Sequence, residues 1–281
     1  MMLNAGLHSP DGIILDLEDS VSLSRKQEAR YIVRNALRQV NFYGAERMVR
    51  INQGEMGIED LKYIIPHYVN LILVPKCESP GYIERVESEI ELLRKKSGMK
   101  NDVYLMPIIE SALGVENAYE IARASNNIAS MAIGLEDYTA DLGVQRTNEG
   151  KESLFARMRI VNACNAARIQ AIDSVFSDIS DMNALEANVK ASKALGFEGM
   201  GCIHPRQIAV IHKAFAPEPE EITKAKKIFI AFRDAEAKGL GVVSLGSRMI
   251  DPPVVARAEK TIELAIKLNL LDPDWINTEQ W

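Results

Sequence analysis

The feature of this sequence that most restricts its fold is a unit that recurs seven times. Each unit is a short apolar run rich in β-branched residues, followed by a polar loop and, in most units, by an amphipathic helical pattern. Strands that alternate with helices predict a parallel sheet with right-handed crossovers. The seven predicted strands span residues 12–19, 47–52, 70–76, 103–109, 131–135, 171–176 and 199–205. The helices predicted between them span 24–40, 59–65, 80–96, 115–124, 154–167 and 181–195.

Two α/β folds fit this pattern. The strands are apolar without alternation, which indicates that both of their faces are buried. Seven units suit a (β/α)8 TIM barrel that lacks its first strand, and the rival is an open, doubly wound sheet. The barrel is favoured because polar side chains follow almost every strand and would converge on one mouth. In an open sheet only those near the switch point would meet. These side chains are Glu18, Asn52, Lys76, Glu110, Asp137, Ser177, Asp178 and His204.

The last part of the chain departs from the repeating unit. We predict a TIM-barrel catalytic domain over residues 1–212 and a C-terminal helical extension or lid over 213–281. In the extension, the pattern predicts a charged helix over 217–238, a glycine-rich turn and a helix over 253–268. The tail that contains Trp275 and Trp281 is expected to be exposed or bound to a partner.

Composition restricts the class of protein. The chain has 281 residues, is 47% hydrophobic and 26% charged, and carries a formal net charge of −6. This is typical of a globular protein and argues against nucleic acid as the main partner. No apolar run approaches the roughly 20 residues of a membrane span, and the N-terminus has no signal-peptide pattern. Three widely spaced cysteines indicate a reduced, cytoplasmic protein without a zinc pattern.

Acidic residues follow two neighbouring predicted strands. The apolar run 131–133 ends at Gly134 and is followed by Glu136, Asp137 and Asp141, whereas the run 104–109 ends directly on Glu110. Adjacent strands that each end in a carboxylate can hold one hard cation between them. Mg²⁺ takes one or two protein carboxylates while water and substrate complete its octahedron. The sequence therefore predicts a Mg²⁺ site here; the alternative is that these carboxylates pair with nearby Arg or Lys.

Seven short motifs in one order carry a resemblance to a known family. They resemble the beta subunits of citrate lyase, within the superfamily of citryl-, malyl- and methylmalyl-CoA lyases and HpcH/HpaI-type aldolases. The similarity runs from about residue 11 to 265. The motifs are D-L-E-D-S-V (16–21), V-R-I-N (49–52), L-V-P-K (73–76), P-I-I-E-S-A-L-G-V (107–115), G-L-E-D-Y-T-A-D-L-G (134–143), I-H-P-R-Q-I (203–208) and G-S-R-M-I-D-P-P-V-V (246–255).

One departure from the family's pattern concerns the N-terminus. In the family, a strand that ends in a V-P-G-like loop precedes the D-L-E-D strand, whereas this sequence begins with M-M-L-N-A-G. We expect either a truncated or misassigned start, or another segment that completes the barrel. A missing strand exposes two sheet edges, so lower stability or compensating association is expected.

The resemblance implies roles for four residues. Glu110 and Asp137 occupy the family's two metal-binding positions and are the expected Mg²⁺ ligands. Arg50 is expected to bind the acid end of the substrate, and the alternative is an ion pair with the acidic cluster. Asp251 is expected to act as acid/base in the active site of a neighbouring subunit; the alternative is a helix N-cap before Pro-Pro.

Four further residues are candidates for substrate binding. Lys76 is expected to support the site electrostatically or to contact the thioester partner, rather than to form a Schiff base. Lys26 and Arg30 are expected to contact phosphates of coenzyme A or a phosphopantetheine arm, with a solvated helix face as the alternative. His204 is expected to shape the thioester-binding wall, with a purely structural role as the alternative. The remaining acidic residues, Glu18, Asp19, Glu136 and Asp141, either hold metal-bound waters or form caps and salt bridges.

The implied activity is Mg²⁺-dependent carbon–carbon cleavage of a citryl thioester, on coenzyme A or an acyl carrier protein, to oxaloacetate and an acetyl thioester. Other substrates of the superfamily stay open: malyl-, citramalyl- or methylmalyl-CoA, or a free 2-oxo acid. A non-catalytic or partner-dependent subunit of a citrate lyase complex is the alternative from another class. We expect a homo-oligomer, a trimer or hexamer, with other citrate lyase subunits as possible partners, and no nucleic-acid or membrane partner.

Overall fold

The computed structural model describes residues 2–237, 239–245 and 248–278. Four residues on which sequence predictions rest lie outside this description: Lys238, Gly246, Ser247 and Trp281. The chain divides into two compact units, Met1–Ile211 and His212–Trp281. No helix in the described ranges is long and apolar enough to cross a membrane.

The first unit contains a curled, seven-stranded parallel sheet. The strands lie side by side in the order in which they occur in the chain, β1-β2-β3-β4-β5-β6-β7, and every adjacent pair is parallel. A doubly wound sheet would reverse this order at a switch point, so the sequential order argues against that alternative. The strands are β1 Gly12–Asp16, β2 Glu46–Arg50, β3 Leu71–Val74, β4 Tyr104–Ile109, β5 Ser130–Ile133, β6 Gln170–Asp173 and β7 Gly199–Met200.

The middle strands are buried on both faces, as their continuous apolar sequence predicts. All four residues of β3 and of β5 are buried. One face of the sheet contributes a cluster of Leu71, Leu73, Met106, Ile108 and Ala132. The terminal strand β1 differs, because Ile14 is 45% exposed. The central strands are thus buried on both faces, whereas β1 is partly exposed to solvent.

Helices follow the strands, with bounds close to most of those predicted. They are α1 Lys26–Gln39, α2 Gly54–Ile64, α3 Pro80–Ser97, α4 Ala112–Glu116, α5 Ala118–Ala122, α6 Leu135–Asp141, α7 Leu154–Ala167, α8 Met182–Leu195 and α9 Pro205–Phe215. Two of these helices were not predicted. The acidic stretch after β5 is helical from Leu135, and the segment after β7 is helical from Pro205, where proline suits the first helical position. The seventh strand is correspondingly only two residues long.

The second unit is built from helices and one hairpin. Its elements are α10 Pro219–Glu236, β8 Val243–Leu245, β9 Arg248–Ile250, α11 Pro252–Lys267 and α12 Trp275–Thr278. The antiparallel pair β8–β9 occupies the region predicted as a glycine-rich turn. The prediction for Trp275 was wrong, since this side chain is only 3% exposed and packs in the core of the unit with Phe232, Ile250, Val255 and Ile262.

A buried ion pair fixes α1 against α2 at the edge of the sheet. Arg30 Nε donates to Asp60 Oδ1 at 2.7 Å, and Arg30 Nη2 donates to the carbonyl of Met56 at 3.1 Å. Asp60 is fully buried, and its other oxygen accepts from the backbone and side-chain nitrogens of Asn52, each at 2.8 Å. This carboxylate therefore holds a helix and the loop that follows β2 in one position.

We expect Asp60→Ala to lower the free energy of unfolding by about 3–5 kcal/mol, because it leaves the Arg30 guanidinium buried without its counter-charge. The matched control is Glu59→Ala on the same helix, whose carboxylate forms an exposed pair with Lys62. That change is expected to cost no more than about 0.5 kcal/mol. Denaturant unfolding measures both, and equal losses would contradict this role for Asp60.

Candidate functional site

The first strand delivers three carboxylates to the carboxyl end of the sheet. Asp16 is the last residue of β1, and Glu18 and Asp19 lie in the turn that follows. Lys26 Nζ fixes this turn, because it donates to the carbonyl oxygens of Leu17 at 2.8 Å and Glu18 at 2.6 Å. Lys26 was predicted to contact phosphates. In the structure its ammonium group instead donates hydrogen bonds to the backbone of the turn that holds Glu18.

Arg50 lies directly opposite Asp16 in the parallel register of β1 and β2. Its Nε and Nη2 donate to the two carboxylate oxygens of Asp16 at 2.8 and 2.6 Å, and its Nη1 lies 3.0 Å from Glu18 Oε2. Burial raises the pKa of Asp16, but it is outweighed by the hydrogen bonds from Arg50 and from the Glu18 backbone together with the charge of Arg50, and the pKa falls to about 2. Burial lowers the pKa of Arg50, while the neighbouring carboxylates raise it above its ordinary value. The predicted ion pair with the acidic cluster is therefore present.

Glu110 follows β4 and is only 6% exposed. Its Oε2 accepts a hydrogen bond from the backbone nitrogen of Lys76 at 2.8 Å, and Lys76 has a left-handed φ of 46°. Burial is the main cause that raises the pKa of Glu110 to about 7, and the negative charges of Asp137 and Glu18 act in the same direction. Burial likewise raises the pKa of Glu18. The structure thus concentrates negative charge around one buried carboxyl.

Lys76 contacts both predicted metal ligands. Its backbone binds Glu110, and its Nζ lies 3.2 Å from Asp137 Oδ1 and 3.7 Å from Glu18 Oε1. Asp137 lies in the first turn of α6, with a side chain 42% exposed. Burial lowers the pKa of Lys76, but the pairing with Asp137 raises it above its ordinary value. A charged ammonium here supports the predicted electrostatic role and not a Schiff base, which requires a neutral amine.

Gly134 makes room for Glu110. A Cβ atom at this position would lie 2.4 Å from Glu110 Oε1 and 2.7 Å from its Cγ. Gly134 N also donates to the carbonyl of Ile109 at 2.9 Å, which ties β5 to the end of β4. The glycine between strand and acidic helix is therefore required by the space that the carboxylate of the adjacent strand occupies.

The other predicted site residues have identifiable partners. Glu136 pairs with Arg146 at 2.7 Å, and Asp141 accepts from the backbone nitrogen of Ala112 at 2.8 Å. Arg30 is buried against Asp60, so it does not form the solvated helix face considered as its alternative. Asp251, in the second unit, caps α11 by accepting from the backbone nitrogen of Val254 at 3.2 Å.

His204 lies in the loop between β7 and α9, where Gln207 holds the backbone. Gln207 is fully buried, and its Oε1 accepts from the nitrogens of Ile203 and His204 at 3.0 and 3.2 Å. Its Nε2 donates to the carbonyl of Phe176 at 2.9 Å. The sequence predicts a role for His204 in shaping the thioester-binding wall, and in the structure the hydrogen bonds of Gln207 hold the backbone of this loop.

Three residues of the site were not singled out from the sequence. Asp16 positions Arg50, Gly134 admits Glu110, and Gln53 donates from Nε2 to Glu18 Oε1 at 2.9 Å. Asp16 and Gly134 both lie in motifs that had been recognised. Asp16 ends a strand and Gly134 directly follows one. These positions could have identified them from the sequence, because residues at the carboxyl ends of barrel strands face a shared cavity.

The donor set suits Mg²⁺. Within the part of the chain that the structure describes, no group of three or more His, Cys, Asp or Glu side chains is placed to hold a metal. Glu110 and Asp137 supply two carboxylates, a number that Mg²⁺ commonly takes from a protein. Burial is the main cause of the raised pKa of Glu110, and the charges of Asp137 and Glu18, which raise it further, are charges that a divalent cation would neutralise. The residues present therefore fit the predicted ion.

Comparison with known proteins identifies the same group as the motifs. A family model described as HpcH/HpaI aldolase/citrate lyase matches residues 1–205. The citrate lyase subunit beta of Leuconostoc mesenteroides subsp. cremoris is 38% identical over 98% of this chain and 92% of its own length. The human mitochondrial citramalyl-CoA lyase is 30% identical over 92% of this chain and 79% of its own length.

A solved structure has a similar fold. CitE from Mycobacterium tuberculosis, in complex with magnesium, acetoacetate and coenzyme A, superposes with a TM-score of 0.74 at 29% identity. The match covers 91% of this chain and 90% of CitE.

We expect Gly134→Ala to displace the Glu110 side chain, because the added methyl group would overlap it. The overlap should cost about 1–3 kcal/mol of unfolding free energy and weaken Mg²⁺ binding by about tenfold or more. The control is Gly81→Ala, where nothing lies within 4 Å of the added Cβ. Calorimetric titration with Mg²⁺ measures the affinity; wild-type affinity in Gly134→Ala would contradict the steric role.

The raised pKa of Glu110 predicts a pH dependence of stability in metal-free buffer. Folding favours the protonated carboxyl, so the stabilisation is complete below its ordinary pKa of 4.5 and is lost as pH rises through about 7. Relative to Glu110→Gln, the wild type should lose about 3 kcal/mol of unfolding free energy across this window. Denaturant unfolding of both proteins at a series of pH values measures it, and parallel pH profiles would contradict it.

Proposed function

This chain belongs to the HpcH/HpaI aldolase/citrate lyase family, and from that premise we propose that it is a Mg²⁺-dependent carbon–carbon lyase. The proposed substrate is a citryl thioester, which is cleaved to oxaloacetate and an acetyl thioester by a retro-Claisen step. The observation that carries the proposal is the buried Glu110 carboxyl, which lies within the electrostatic influence of Asp137 and Glu18. Burying an ionised acidic group beside other acidic groups costs free energy unless a cation offsets the charge.

We assign Glu110 and Asp137 as the residues that hold Mg²⁺. When bound, the ion supplies Lewis-acid chemistry that lowers the pKa of a substrate hydroxyl. Lys76 holds both carboxylates in place, through its backbone nitrogen for Glu110 and its ammonium for Asp137. The ammonium is also a charge that can move toward substrate oxygen once Asp137 has another partner.

Arg50 orients the carboxylate end of the substrate in this proposal. Asp16 binds the Nε and Nη2 edge of the guanidinium, which fixes its plane. The Nη1 group, next to Glu18 and Asp19, remains directed toward the acidic turn. A guanidinium locked by one carboxylate loses little conformational freedom when it binds a second, which favours accurate placement of substrate.

Cleavage breaks one carbon–carbon bond and forms one carbon–oxygen double bond, and the proton lost by the hydroxyl is matched by the proton that the enolate gains. A base removes the proton of the substrate hydroxyl, the oxygen becomes the ketone of oxaloacetate, and the carbon–carbon bond breaks toward the thioester. The resulting enolate takes up a proton to give the acetyl thioester. Asp251 is proposed as the acid that supplies this proton, from a neighbouring copy of the chain. Its Oδ1 caps α11 through Val254, which fixes the orientation of the carboxyl group.

The thioester carrier and the assembly are further parts of the proposal. Coenzyme A or an acyl carrier protein would deliver the acyl group, and Lys26, Arg30 and His204 remain the residues predicted to contact the carrier. Arg30 is the least available of them, since Asp60, Gln27 and the carbonyl of Met56 already accept its hydrogen bonds. A cytoplasmic homo-oligomer, a trimer or hexamer, with other citrate lyase subunits as partners, would provide the neighbouring copy.

We also retain the predicted domain division and barrel. Residues 1–212 would form a (β/α)8-type barrel with the position of one strand open between β1 and β7, and 213–281 the helical extension. The sequential parallel order and the exposed Ile14 on β1 support this proposal. Association along β1 would cover that edge.

A second substrate is favoured by a specific observation. The human relative named citramalyl-CoA lyase is 30% identical over 92% of this chain. Malyl- and methylmalyl-CoA, and free 2-oxo acids, share the hydroxy-acid chemistry that Glu110, Asp137 and Arg50 would serve. Turnover of citryl-, citramalyl- and malyl-CoA by the same preparation ranks these substrates, and turnover of free acids would favour an aldolase.

We expect the purified chain to release oxaloacetate from citryl-CoA in the presence of Mg²⁺ and not with excess chelator. Coupling to malate dehydrogenase and following NADH consumption measures the release. Glu110→Ala should lower turnover by about a hundredfold or more, because it removes a metal ligand. The control Glu120→Ala, on the exposed surface of α5, should keep wild-type turnover.

Two outcomes would overturn this proposal. Activity that persists in chelator would remove the metal assignment. No release of oxaloacetate by folded protein, alone or with citrate lyase partner subunits, would remove the citryl thioester as substrate.

A further inference from the structure

A second polar cavity lies at the opposite end of the strands from Glu110. Its volume is about 370 Å³, within the range of small-molecule pockets. The segments that precede β2, β3 and β4 supply its walls. The lining residues that bear on its chemistry are Asn41, Phe42, Tyr43, Arg47, Tyr68 and Asn70.

Two of the three asparagines that line this cavity, Asn41 and Asn70, present donors to it. Asn41 Oδ1 accepts from the backbone nitrogen of Tyr43 at 2.8 Å, and Asn70 Oδ1 accepts from the backbone nitrogen of Arg47 at 2.9 Å. A backbone N–H can only donate, so these contacts identify which end of each amide is oxygen. The NH₂ groups are then the ends left over, and neither has a hydrogen-bond acceptor among the described residues.

Arg47 adds a positive charge that no carboxylate offsets. Its guanidinium lies 5.2 Å from the centre of the buried Phe42 ring, and it forms no ion pair within the described ranges. No acidic residue lines the cavity. A guanidinium offers five donors and no acceptor. Asn101 also lines the cavity; its Nδ2 donates to the carbonyl of Val69 at 3.2 Å, and its Oδ1 is a buried acceptor without a partner among the described residues. The available charged and amide groups are therefore one guanidinium and two NH₂ groups as donors and one amide oxygen as acceptor. The three donor groups suit an oxyanion, and the single acceptor suits an N–H or O–H group on the same ligand.

Two tyrosine rings provide an apolar surface beside these donors. Tyr43 and Tyr68 are 58% and 59% exposed, and both have left-handed backbone angles, with φ of 52° and 61°. Non-glycine residues adopt this conformation at a cost, so two exposed tyrosines held in it at one cavity are unusual. Exposed aromatic rings offer stacking surfaces for a planar group.

Two further cations lie near Tyr68, on one side of the cavity. Tyr68 follows His67, whose pKa is lowered by burial and by the charges of Arg38 and Arg34 on α1. These cations would attract an anion to this end of the sheet without contacting it, because charge acts beyond contact distance at ordinary ionic strength.

We infer that this cavity binds a ring-bearing organic oxyanion, a phosphate ester or carboxylate of about the size of a nucleoside monophosphate. Arg47 and the amide groups of Asn41 and Asn70 would bind the oxyanion, and Tyr43 and Tyr68 would contact the ring. This site is independent of the proposed lyase reaction, since none of its residues contacts Glu110, Asp137 or Arg50 in the interactions described above.

The test is titration calorimetry of the full-length protein with five probes. AMP represents a ring-bearing phosphate ester and 4-hydroxybenzoate a ring-bearing carboxylate; adenosine lacks the charge, and inorganic phosphate and acetate lack the ring. We expect saturable binding of AMP, of 4-hydroxybenzoate or of both, and binding weaker by about tenfold or more for adenosine and for the matching ringless anion. No saturable binding of either ring-bearing anion overturns the inference.

Variants locate the binding. Arg47→Met should weaken it by about tenfold or more, whereas Arg123→Met should not, although Arg123 makes the same kind of ring contact with Tyr119 at 5.7 Å. Tyr43→Asn keeps a residue that tolerates left-handed φ and should also weaken binding, which guards against misfolding of a single variant. Wild-type affinity in both Arg47→Met and Tyr43→Asn would place the ligand elsewhere and overturn the inference.

Discussion

The charge balance around Glu110 is the constraint on which the site depends. A carboxyl that is 6% exposed and close to other carboxylates is costly to ionise, and its pKa of about 7 expresses that cost. Two cations, Arg50 and Lys76, partly offset the charge, but each is already committed to its own carboxylate, Asp16 and Asp137 respectively. The arrangement is therefore short of positive charge at the Glu110 carboxyl. A divalent cation would supply this positive charge. The buried Glu110 carboxyl, which is unfavourable in the metal-free protein, is therefore best explained by a metal-dependent reaction.

The backbone of the parallel sheet fixes the positions of the charged groups around Glu110. Asp16 and Arg50 are paired in register, so the backbone of the sheet determines their contact and leaves little to side-chain flexibility. Gly134 and Lys76 serve Glu110 in the same way, one by leaving space and the other by presenting a backbone nitrogen. Each contact comes from a different strand end, and their convergence follows from strand order. Groups placed on rigid elements keep the separation that electrostatic catalysis needs.

Periodicity predicted the seven strands and most of the helices because burial on both faces leaves a long apolar run that few other structures need. It failed for α6, whose acidic sequence L-E-D-Y-T-A-D is that expected of a loop. It also failed for α9, whose first residue, Pro205, was taken as part of the exit loop of the seventh strand. The sequence also indicated which carboxylates gather at the site. It could not indicate which cation meets which carboxylate: Lys26 binds backbone carbonyls, and Arg30 is buried beside Asp60. Such choices depend on distances between elements that are far apart in sequence. Trp275 shows the same limit, since its burial depends on contacts with α10 and α11.

Arg47 and Arg50 lie on one strand, and the difference between their partners accounts for the different roles that we propose for them. Asp16 binds Arg50 along one edge, so that guanidinium is fixed in position but partly neutralised. Among the described residues, the Arg47 guanidinium contacts an aromatic ring and no carboxylate, so it is less constrained and its charge is not offset by an ion pair. The first arrangement suits a step in which a substrate must be placed accurately beside reacting atoms. The second suits capture of an anion, where affinity matters more than orientation. Because their α-carbons are about 10 Å apart along the strand, close to the Debye length at physiological salt, charge bound at one end would influence the other end only weakly.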